Sequence, residues 1–430
     1  MRIESPHRVE RFGAVRLHGV QEVYEFDSGG AEAVDVPGAG PDSIRHIPMS
    51  GISEIKQQMA IVIPVKGERL KVLEGVLAAI PHDCLIVVVS NSDRRPVDRY
   101  QAEVDTVERF CRRVQRGAVI IHQRGAGVSA AFREAGMPQL IDTSGLIRSG
   151  KGEGLLVGTA LAKLAGREFV GFIDADNFIP GAVFEYVQAF AASFYQATSP
   201  FSMVRISWHS KPTFEDGQLY FNRLGRASRL TNEFINLLIS DYTGFGTELI
   251  VTGNSGEHAL STELAMRLSY AGGYAVEPNE LINLLESYGG IQASPDSDVS
   301  RAGVDVYQVE TRSPHLHEKG EDEHIRNMQL QALSVLYNSP ICPPRVRKQV
   351  EAELQVGGQA ELPEVPIYPR LDSIDWDIFS HVLTVRSQTL HQIERVVPTA
   401  IVLEKPIPEL GDGDTTIELD AIRVEEQPAR

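Results

Sequence analysis

Between residues 59 and 173, short apolar runs alternate with segments of helical periodicity, and this alternation is the strongest constraint on the fold. The apolar runs, which we predict to be strands, span residues 59–65, 85–89, 119–122 and 169–173. Helices are predicted between them at 70–79, 104–114 and 151–164. Strands that are apolar throughout are typical of parallel sheets, because helices cover both faces of such a sheet. The pattern therefore predicts an α/β fold with a largely parallel, doubly wound sheet flanked by helices.

The fourth of these strands ends on Asp174, Ala175, Asp176 and Asn177. Two carboxylates at the open end of a buried strand are costly unless a positive charge faces them, and a divalent cation that prefers oxygen ligands supplies that charge. The carboxyl ends of strands are also where α/β sheets bind ligands. We interpret the segment as the metal site of an enzyme that handles a nucleotide diphosphate. The alternative is that the aspartates cap a helix beginning at Pro180.

The balance of charges excludes some classes of partner. The chain has 41 Lys and Arg against 58 Asp and Glu, a formal net charge of −17. A sequence-independent grip on nucleic acid or on an anionic membrane needs a basic face, so we expect neither partner. An anionic small molecule is compatible with this charge, since a local basic pocket can lie on an acidic protein.

Signals for export are missing from the sequence. Residues 1–13 lack the apolar core of a secretory signal, and no apolar run approaches the roughly 18–20 residues of a membrane span. Cys84, Cys111 and Cys342 are far apart, as expected of reduced thiols rather than of a disulfide frame or a zinc site. We therefore expect a cytoplasmic protein.

Polar residues follow the first two strands at what would be the ligand edge of the sheet. They are Pro64, Val65, Lys66 and Glu68 after the first strand and Ser90 and Asn91 after the second. This placement suits recognition of a nucleoside, although ordinary loop residues would look the same.

Two glycine-rich turns are candidate anion sites. Residues 149–154 follow Arg148 and lead into a predicted helix that begins at Lys151. They lack the spacing of an ATPase phosphate loop. Residues 252–258 precede a predicted helix at 257–268 and offer Thr252, Asn254 and backbone amides to an anionic acceptor. The alternatives are a flexible turn in the first case and helix capping by Ser255 in the second.

A pair of histidines follows the strand predicted at 306–309. Residues i and i+2 of an extended loop point the same way, so either His315 or His317 could complete a metal shell begun by Asp176. Four zinc ligands are not evident, which favours a partly hydrated ion over structural zinc.

The remaining chain divides by composition. Residues 201–208 are predicted to form an antiparallel strand, and helices are predicted at 230–238, 324–337 and 378–393. We predict an N-terminal hairpin and linker at 1–58, with the linker at 35–51. A donor-binding domain at 59–210, an acceptor-binding and metal-completing region at 211–396 and an acidic tail at 397–430 are predicted to follow.

Six segments, taken in this order, resemble the mannosyl-3-phosphoglycerate synthase family, whose members are retaining glycosyltransferases of the GT-A fold. They read RFGAVRLHGVQEV, IPVKGERLKVLEGVLAAIPHD, RSGKGEG, FIDADNFIPGAV, TGNSGEHAL and ETRSPHLHE. The resemblance covers most of residues 1–395. It does not extend to the acidic tail, and the remaining length is too short for the phosphatase domain that some relatives carry.

The resemblance implies a reaction. Mannose would pass from GDP-mannose to the 2-hydroxyl of 3-phosphoglycerate with retention of the α configuration, supported by Mg²⁺ or Mn²⁺. The product would be a precursor of the compatible solute mannosylglycerate. No carboxylate stands out as a nucleophile, so we favour front-side attack, with the leaving phosphate oxygen taking the acceptor's proton.

The resemblance also implies roles for individual residues. Donor binding falls to Pro64, Val65, Lys66, Glu68, Ser90, Asn91, Lys151, Asp174 and Ala175. Acceptor binding falls to Arg148, Thr252, Gly253 and Asn254. Asp176 would bind the metal together with His317 or His315, with His317 slightly preferred. Asp174, Asp176 and Lys151 would be the catalytic residues.

Three alternatives stay open at this point. A glucosyl-3-phosphoglycerate synthase that uses GDP- or UDP-glucose has a related layout. A sugar-nucleotide nucleotidyltransferase also uses metal-binding aspartates, although residues 65–68 are a poor match to its signature. A non-catalytic nucleotide-binding module is the third. A homodimer is common among such enzymes, and the sequence does not decide the point.

Overall fold

The computed structural model of the protein describes residues 1–26, 44–215, 217–222, 225–317, 322–356, 358 and 361–394. The predicted tail at 397–430 and residues 35–43 of the predicted linker lie outside these ranges. The strands are β1 (Arg2–Glu4), β2 (Val9–Phe12), β3 (Val15–Glu25), β4 (Ile44–His46), β5 (Met59–Val65), β6 (Leu85–Ser90), β7 (Ala118–His122), β8 (Phe169–Phe172), β9 (Ser202–Ser207), β10 (Lys211–Glu215), β11 (Gln218–Asn222), β12 (His258–Ser261), β13 (Tyr270–Ala271), β14 (Val304–Glu310), β15 (Ile367–Tyr368) and β16 (Leu390–Ile393).

The α-helices are α1 (Met49–Gln57), α2 (Leu70–Ala79), α3 (Arg99–Val114), α4 (Ala126–Glu134), α5 (Lys151–Leu164), α6 (Pro180–Gln196), α7 (Arg226–Thr243), α8 (Thr262–Ala265), α9 (Val276–Tyr288), α10 (Ser297–Ala302), α11 (Asp322–Asn338), α12 (Pro344–Val356) and α13 (Trp376–Arg386). Single 3₁₀ turns lie at Pro138–Leu140, Gly273–Ala275 and Leu371–Ser373. Within the described ranges, no helix combines the length and the apolar character that a membrane crossing requires.

One large mixed sheet organises the chain. Its strand order is β16-β7-β6-β5-β8-β12-β9-β14-β3-β1-β4, with β2 paired to β3. Strands β7, β6, β5 and β8 are mutually parallel, and so are β9, β14 and β3. Strand β12 joins the two blocks and is antiparallel to both β8 and β9, so the seven strands of the two blocks all run in one direction. This confirms the predicted GT-A-type α/β fold with a largely parallel sheet.

Helices cover both faces of the sheet, as apolar strands require. On β5, Val62 faces one core with Leu155 of α5, whereas Ile61 and Ile63 face another core with Val183 of α6. All of these side chains are fully buried. A strand buried on both faces has no room for polar alternation, which is why its sequence reads as a continuous apolar run.

Most of the predicted elements are confirmed, three of them to the residue: strand β5 at 59–65, helix α2 at 70–79 and helix α5 at 151–164. Strand β9 lies inside the predicted 201–208 and is antiparallel to β12, as expected, but parallel to β14. Helix α6 begins at Pro180 with Ile179 as its N-cap, so the two aspartates do not cap it.

Two helix predictions are wrong in part. Residues 258–261 of the predicted helix 257–268 form β12, because they lie between β8 and β9 and hydrogen-bond to both. Ser255 therefore does not cap a helix there. The predicted helix 378–393 ends at Arg386, and Leu390–Ile393 is a strand that pairs with β7. The linker prediction is wrong for residues 44–51, which hold β4 and the beginning of α1.

Candidate active site

The carboxyl edge of the sheet collects four of the segments predicted to carry chemistry. Strand β8 leads directly into residues 174–177, and β14 leads into the loop that holds His315 and His317. Strand β12 runs the other way, so the loop before it, residues 252–257, reaches the same edge. Helix α5 begins there with Lys151, because the helices of such folds run antiparallel to their strands.

Lys151 is held between two carboxylates. Its Nζ lies 2.6 Å from Oδ1 of Asp174 and 2.8 Å from Oε1 of Glu277, which is in the first turn of α9. Gly256 makes room for this arrangement, because a Cβ at that position would lie 2.4 Å from Oδ2 of Asp174 and 3.2 Å from Nζ of Lys151. We call Lys151, Asp174 and Glu277 the lysine cluster.

In the lysine cluster, the ion pairs together affect the pKa values of Lys151 and Asp174 more than burial does. Burial alone would lower the pKa of Lys151, but Asp174 and Glu277 raise that pKa well above its ordinary value. Burial alone would raise the pKa of Asp174, but Lys151 holds that pKa below its ordinary value. Lys151 is therefore a cation and Asp174 an anion at neutral pH. The positive charge of Lys151 is neutralised by carboxylates of the protein itself.

Asp176 is in a different environment two residues along the chain. Its Oδ2 lies 3.5 Å from Nδ1 of His317, and the two side chains are 36% and 33% exposed. Burial, reinforced by the charges of Asp174 and Glu257, raises the pKa of Asp176 to about 7. The carboxylate form of Asp176 is thus costly, and a bound cation would remove that cost.

His315 is packed behind His317. Its ring stacks on Trp208 with 4.7 Å between centroids, and its Nδ1 lies 3.2 Å from the Tyr186 hydroxyl. Burial, followed by the charge of Lys211, lowers the pKa of His315 well below its ordinary value, so the ring is neutral. The half-exposed His317 beside Asp176 is the better placed of the two histidines to reach a metal.

The residues present fit a loosely held divalent cation. Asp176 offers a carboxylate oxygen and His317 an imidazole nitrogen, and no group of three His, Cys, Asp or Glu side chains in the described part of the chain is arranged around a metal position. Two protein ligands leave the other coordination positions to phosphate oxygens and water, which is how proteins usually hold Mg²⁺. A structural zinc site with four protein ligands does not fit.

Glu257 is a buried carboxylate at the site that the sequence motifs did not single out. Its Oε1 accepts a hydrogen bond from Asn177 Nδ2 at 2.9 Å, and its Oε2 accepts one from Trp208 Nε1 at 2.8 Å. Burial raises its pKa, followed by the effect of Asp174. The side chain links the 174–177 turn to the end of β9.

A cavity of 620 Å³ opens at the ends of β6 and β7 and is lined by several cationic groups. Among the predicted donor residues, Lys66 and Asn91 line it. Asn91 Nδ2 donates to Ser149 Oγ at 2.9 Å, which joins the second strand loop to the turn before α5. His122, Arg124 and Arg386 also line the cavity. Its size suits a nucleoside.

Other predicted donor residues support this cavity without lining it. Val65 and Ser90 are buried below it, and the Val65 carbonyl accepts a hydrogen bond from the Asn91 amide at 2.7 Å. Pro64 lies inside β5, and Ala175 is buried between the two aspartates. The carboxylate of Glu68 turns back on its own loop, where it accepts a hydrogen bond from the Lys66 amide at 2.5 Å.

The predicted acceptor loop is held from below by a buried arginine. Arg205 is fully buried and donates from Nε to the Thr252 carbonyl at 2.9 Å and from Nη2 to the Gly253 carbonyl at 3.3 Å. Its Nη1 donates to Glu280 at 3.0 Å. The loop therefore keeps its shape without a ligand. No sequence motif pointed to Arg205 or Glu280, because their contacts are long-range.

Asn254 is the most telling residue of that loop. It is only 6% exposed, yet neither Oδ1 nor Nδ2 of its amide has a hydrogen-bond partner among the described residues. Buried amides are nearly always hydrogen-bonded, so this amide has both a donor and an acceptor available to water or to a polar ligand.

Arg148 lies apart from the other predicted acceptor residues. It is exposed and lines a second cavity, of 430 Å³, together with Glu153, Gly273 and Gln331. Gln123 Nε2 donates to the Arg148 carbonyl at 2.8 Å, which fixes the backbone of the turn before α5. The role of Arg148 toward the acceptor stays a prediction.

The chain is similar to known proteins over most of its length. The family model described as mannosyl-3-phosphoglycerate synthase matches residues 5–383. A mannosyl-3-phosphoglycerate synthase of Pyrococcus furiosus is 40% identical over 395 residues, 91% of this chain and 99% of that protein. One of Aeropyrum pernix is 35% identical over 367 residues, 85% of this chain and 92% of that protein.

Among solved structures, a glucosyl-3-phosphoglycerate synthase of Mycobacterium tuberculosis in complex with Mn²⁺, UDP-glucose and phosphoglyceric acid is similar at a TM-score of 0.43 and 19% identity. The match covers 68% of this chain and 83% of that one. The sequence matches are far stronger and span nearly the whole described chain, and they confirm the resemblance seen in the six segments. The chain is a glycosyltransferase that belongs to the mannosyl-3-phosphoglycerate synthase family.

Proposed function

We propose that the protein transfers mannose from GDP-mannose to the 2-hydroxyl of 3-phosphoglycerate with retention of the α configuration. The observation that carries this proposal is that two kinds of charged group lie at one sheet edge. In the lysine cluster, ion pairs neutralise the charges, whereas Asp176 has no cationic partner of this kind among the residues that the structure describes and lies beside His317. A nucleotide-diphosphate donor with its metal matches that arrangement, because its phosphates need cations and its metal needs an oxygen ligand.

The donor would lie across the 620 Å³ cavity and the lysine cluster. A divalent cation, Mg²⁺ or Mn²⁺, held by Asp176 and His317 would neutralise charge on the diphosphate leaving group. Lys151, held in place by the two carboxylates of the cluster, would bring its positive charge to the phosphates of the donor. Asp174 orients Lys151 and faces the sugar end of the donor.

Retention without a nucleophile is supported by the state of the carboxylates. Asp174 and Glu277 bind Lys151, and Glu257 accepts hydrogen bonds from Asn177 and Trp208. Each of the three already has a partner within the protein, which supports a mechanism without a carboxylate nucleophile. In front-side attack the bond from C1 to the diphosphate oxygen breaks, the acceptor oxygen bonds to C1 on the same face, and its proton passes to the leaving oxygen.

The acceptor would bind at Thr252, Gly253 and Asn254, with Arg148 near the turn before α5. The unpartnered amide of Asn254 supports this placement, because it offers both a donor and an acceptor to a hydroxy acid. A cytoplasmic location and a homodimer remain predictions of the sequence.

A glucose donor is the close alternative, because mannose and glucose differ at one stereocentre and one hydrogen bond can choose between them. The test is an assay of purified protein with GDP-mannose and 3-phosphoglycerate, run beside GDP-glucose, UDP-glucose and unphosphorylated glycerate. Release of GDP from the mannose donor alone, lost on chelation, is the expected result. Turnover with a glucose donor alone would replace the proposal with this alternative, and no turnover with any pair would overturn both.

A further inference from the structure

Besides Lys66 in the 620 Å³ cavity, two lysines lie at the candidate site, and only one of these two forms ion pairs within the described ranges. Lys151 contacts Asp174 and Glu277 at ion-pair distances. Lys211, at the start of β10, forms no ion pair with any carboxylate of the described residues. Its surroundings are nevertheless acidic, since Glu257, Asp174 and Asp176 all act on its pKa. An unpaired ammonium group at a substrate edge points to an anion supplied by a ligand.

The position of Lys211 is fixed by an aromatic ring. Its Nζ lies 3.6 Å from the centroid of Trp208, and Trp208 in turn donates a hydrogen bond to Glu257. Cation–π contact holds an ammonium group in place without neutralising its charge. Burial lowers the pKa of Lys211 to about 8, so the group is still mostly charged at neutral pH.

Lys211 also lies along the beginning of helix α7. A Cβ at Gly225, the N-cap, would be 3.3 Å from Lys211 Cδ and 3.5 Å from Nζ. No side chain caps this end of the 18-residue helix, so its free amides add to the positive potential at Lys211.

The same face of α7 reaches the acceptor loop two turns later. Asn232 is seven residues after Gly225, which places the two on one face about 10 Å apart along the axis. Oδ1 of Asn232 accepts a hydrogen bond from the Gly253 amide at 2.7 Å. Its Nδ2, like the amide of the neighbouring Asn254, has no partner among the described residues, and both side chains are at least nine-tenths buried.

We propose that Lys211, the start of α7 and the free amides of Asn232 and Asn254 form the acceptor pocket, in which Lys211 binds an anionic end of the acceptor. The inference rests on the proposed function and adds Lys211 and Asn232 to the predicted acceptor residues. A three-carbon acid with a carboxylate at one end and a phosphate at the other matches a pocket with a cation at one end and amides at the other.

The pocket adjoins the donor site through the acceptor loop. Gly256, two residues after Asn254, lies next to the Lys151–Asp174 pair, because a Cβ added at this position would be 2.4 Å from Oδ2 of Asp174. An acceptor held between Lys211 and Asn254 therefore has its middle hydroxyl near the lysine cluster, where the donor sugar would be.

The test compares Lys211→Ala with Lys211→Arg and with Lys163→Ala, a lysine at the far end of α5 that contacts Glu263 at 3.3 Å. We expect Lys211→Ala to raise the KM for 3-phosphoglycerate by roughly tenfold to a hundredfold and to leave the KM for GDP-mannose within about twofold, since one charge-assisted hydrogen bond is lost. Lys211→Arg should recover most of the loss, and Lys163→Ala should match the wild type.

Calorimetric titration with 3-phosphoglycerate alone, without any donor, keeps the inference separate from the proposed function. A weaker binding constant for Lys211→Ala supports the pocket even if the wild type turns over no mannose donor. Glycerol 3-phosphate and glycerate, used as further probes, tell whether Lys211 binds the phosphate or the carboxylate. Unchanged acceptor binding, or a rise confined to the KM for the donor, would overturn the inference.

Discussion

The two aspartates of residues 174–177 lie one residue apart, and the fold treats them in opposite ways. Asp174 belongs to the lysine cluster, in which Lys151 holds its pKa below the ordinary value. Asp176 has only the half-exposed His317 beside it, and burial and its acidic neighbours raise its pKa to about 7. The protein neutralises the charge of one carboxylate with a lysine and, in the part of the chain that the structure describes, leaves the charge of the other without such a partner.

This difference separates residues whose polar groups have partners within the protein from residues whose polar groups would find partners in the bound ligands. Groups of the first kind have their partners already, as Glu257 and Arg205 do. Groups of the second kind, such as Asp176 and Asn254, are withdrawn from water without a full set of partners, which destabilises the free protein, and a bound ligand would remove this unfavourable free energy. Substitutions should therefore cost stability in the first set and activity in the second.

The largest expected effect is the loss of activity in Asp176→Asn. This change removes the anionic oxygen for the cation and should lower kcat by about 10²–10³-fold or more, while the free energy of unfolding stays level or rises, because an uncompensated carboxylate is gone. Steady-state kinetics and urea unfolding measure the two quantities. Asp298→Asn, at a surface aspartate 2.7 Å from Arg267, is the control and should leave activity unchanged. Lost stability in Asp176→Asn would place this residue with the structural set.

Unlike Asp176→Asn, Lys151→Met should also lower the stability of the folded protein. It leaves Asp174 and Glu277 as unpaired carboxylates in a site where Glu277 is only 3% exposed, so we expect the free energy of unfolding to fall by about 3 kcal/mol. Urea unfolding at neutral pH measures the change, and Lys163→Met provides the matched surface substitution. A Lys151→Met protein as stable as the wild type would contradict the view that the cluster compensates itself.

His317 and His315 allow a sharper test of the difference between ligand-binding and structural residues. His317→Ala should raise the metal concentration needed for half-maximal activity by about 10–100-fold, since a ligand or its immediate neighbour is lost. His315→Ala, which removes a ring stacked on Trp208, should instead lower thermal stability and leave the metal requirement largely unchanged. Titration of activity with Mg²⁺ and Mn²⁺ distinguishes them, and the opposite pattern would exchange their roles.

The smallest expected effect is in the pH dependence of stability. The folded pKa of Asp176, about 7, lies above its unfolded value. Its favourable contribution is therefore complete below the unfolded pKa, about 3.9, and is lost as the pH rises through 7. Because the side chain is 36% exposed, solvent screening limits the loss to about 1 kcal/mol. Unfolding of the metal-free protein between pH 5 and 8 should show this slope, and Asp176→Asn should lack it.

The sequence predicts the parallel half of the fold well, for a physical reason. Strand β5 and helix α5 match their predicted bounds because a doubly buried strand and a continuous apolar helix leave unmistakable local patterns. The same holds for the placement of Asp174 and Asp176 after β8 and of Lys151 at the start of α5.

Other parts of the site have no local pattern to be found. Strand β12 is four residues long, and its apolar spacing fits a helix as well as a strand; only its neighbours β8 and β9, far away in sequence, decide. Glu277, Glu257 and Lys211 meet the motif residues from separate elements. Their contribution is tertiary, so no spacing rule within one segment reveals it.

Strand β12 has a further consequence for how the chain reaches its folded state. It lies between β8 and β9 but follows both in the sequence, so during synthesis those two strands have unpaired edges until residues 258–261 emerge. Strand β14, which completes the block of β9, β14 and β3, follows β12 in the sequence, so the two blocks of the sheet join only after both of these strands have formed. A fragment that stops before β12 also lacks β14, so it would leave exposed edges on β8 and β9 and should aggregate rather than bind nucleotide by itself.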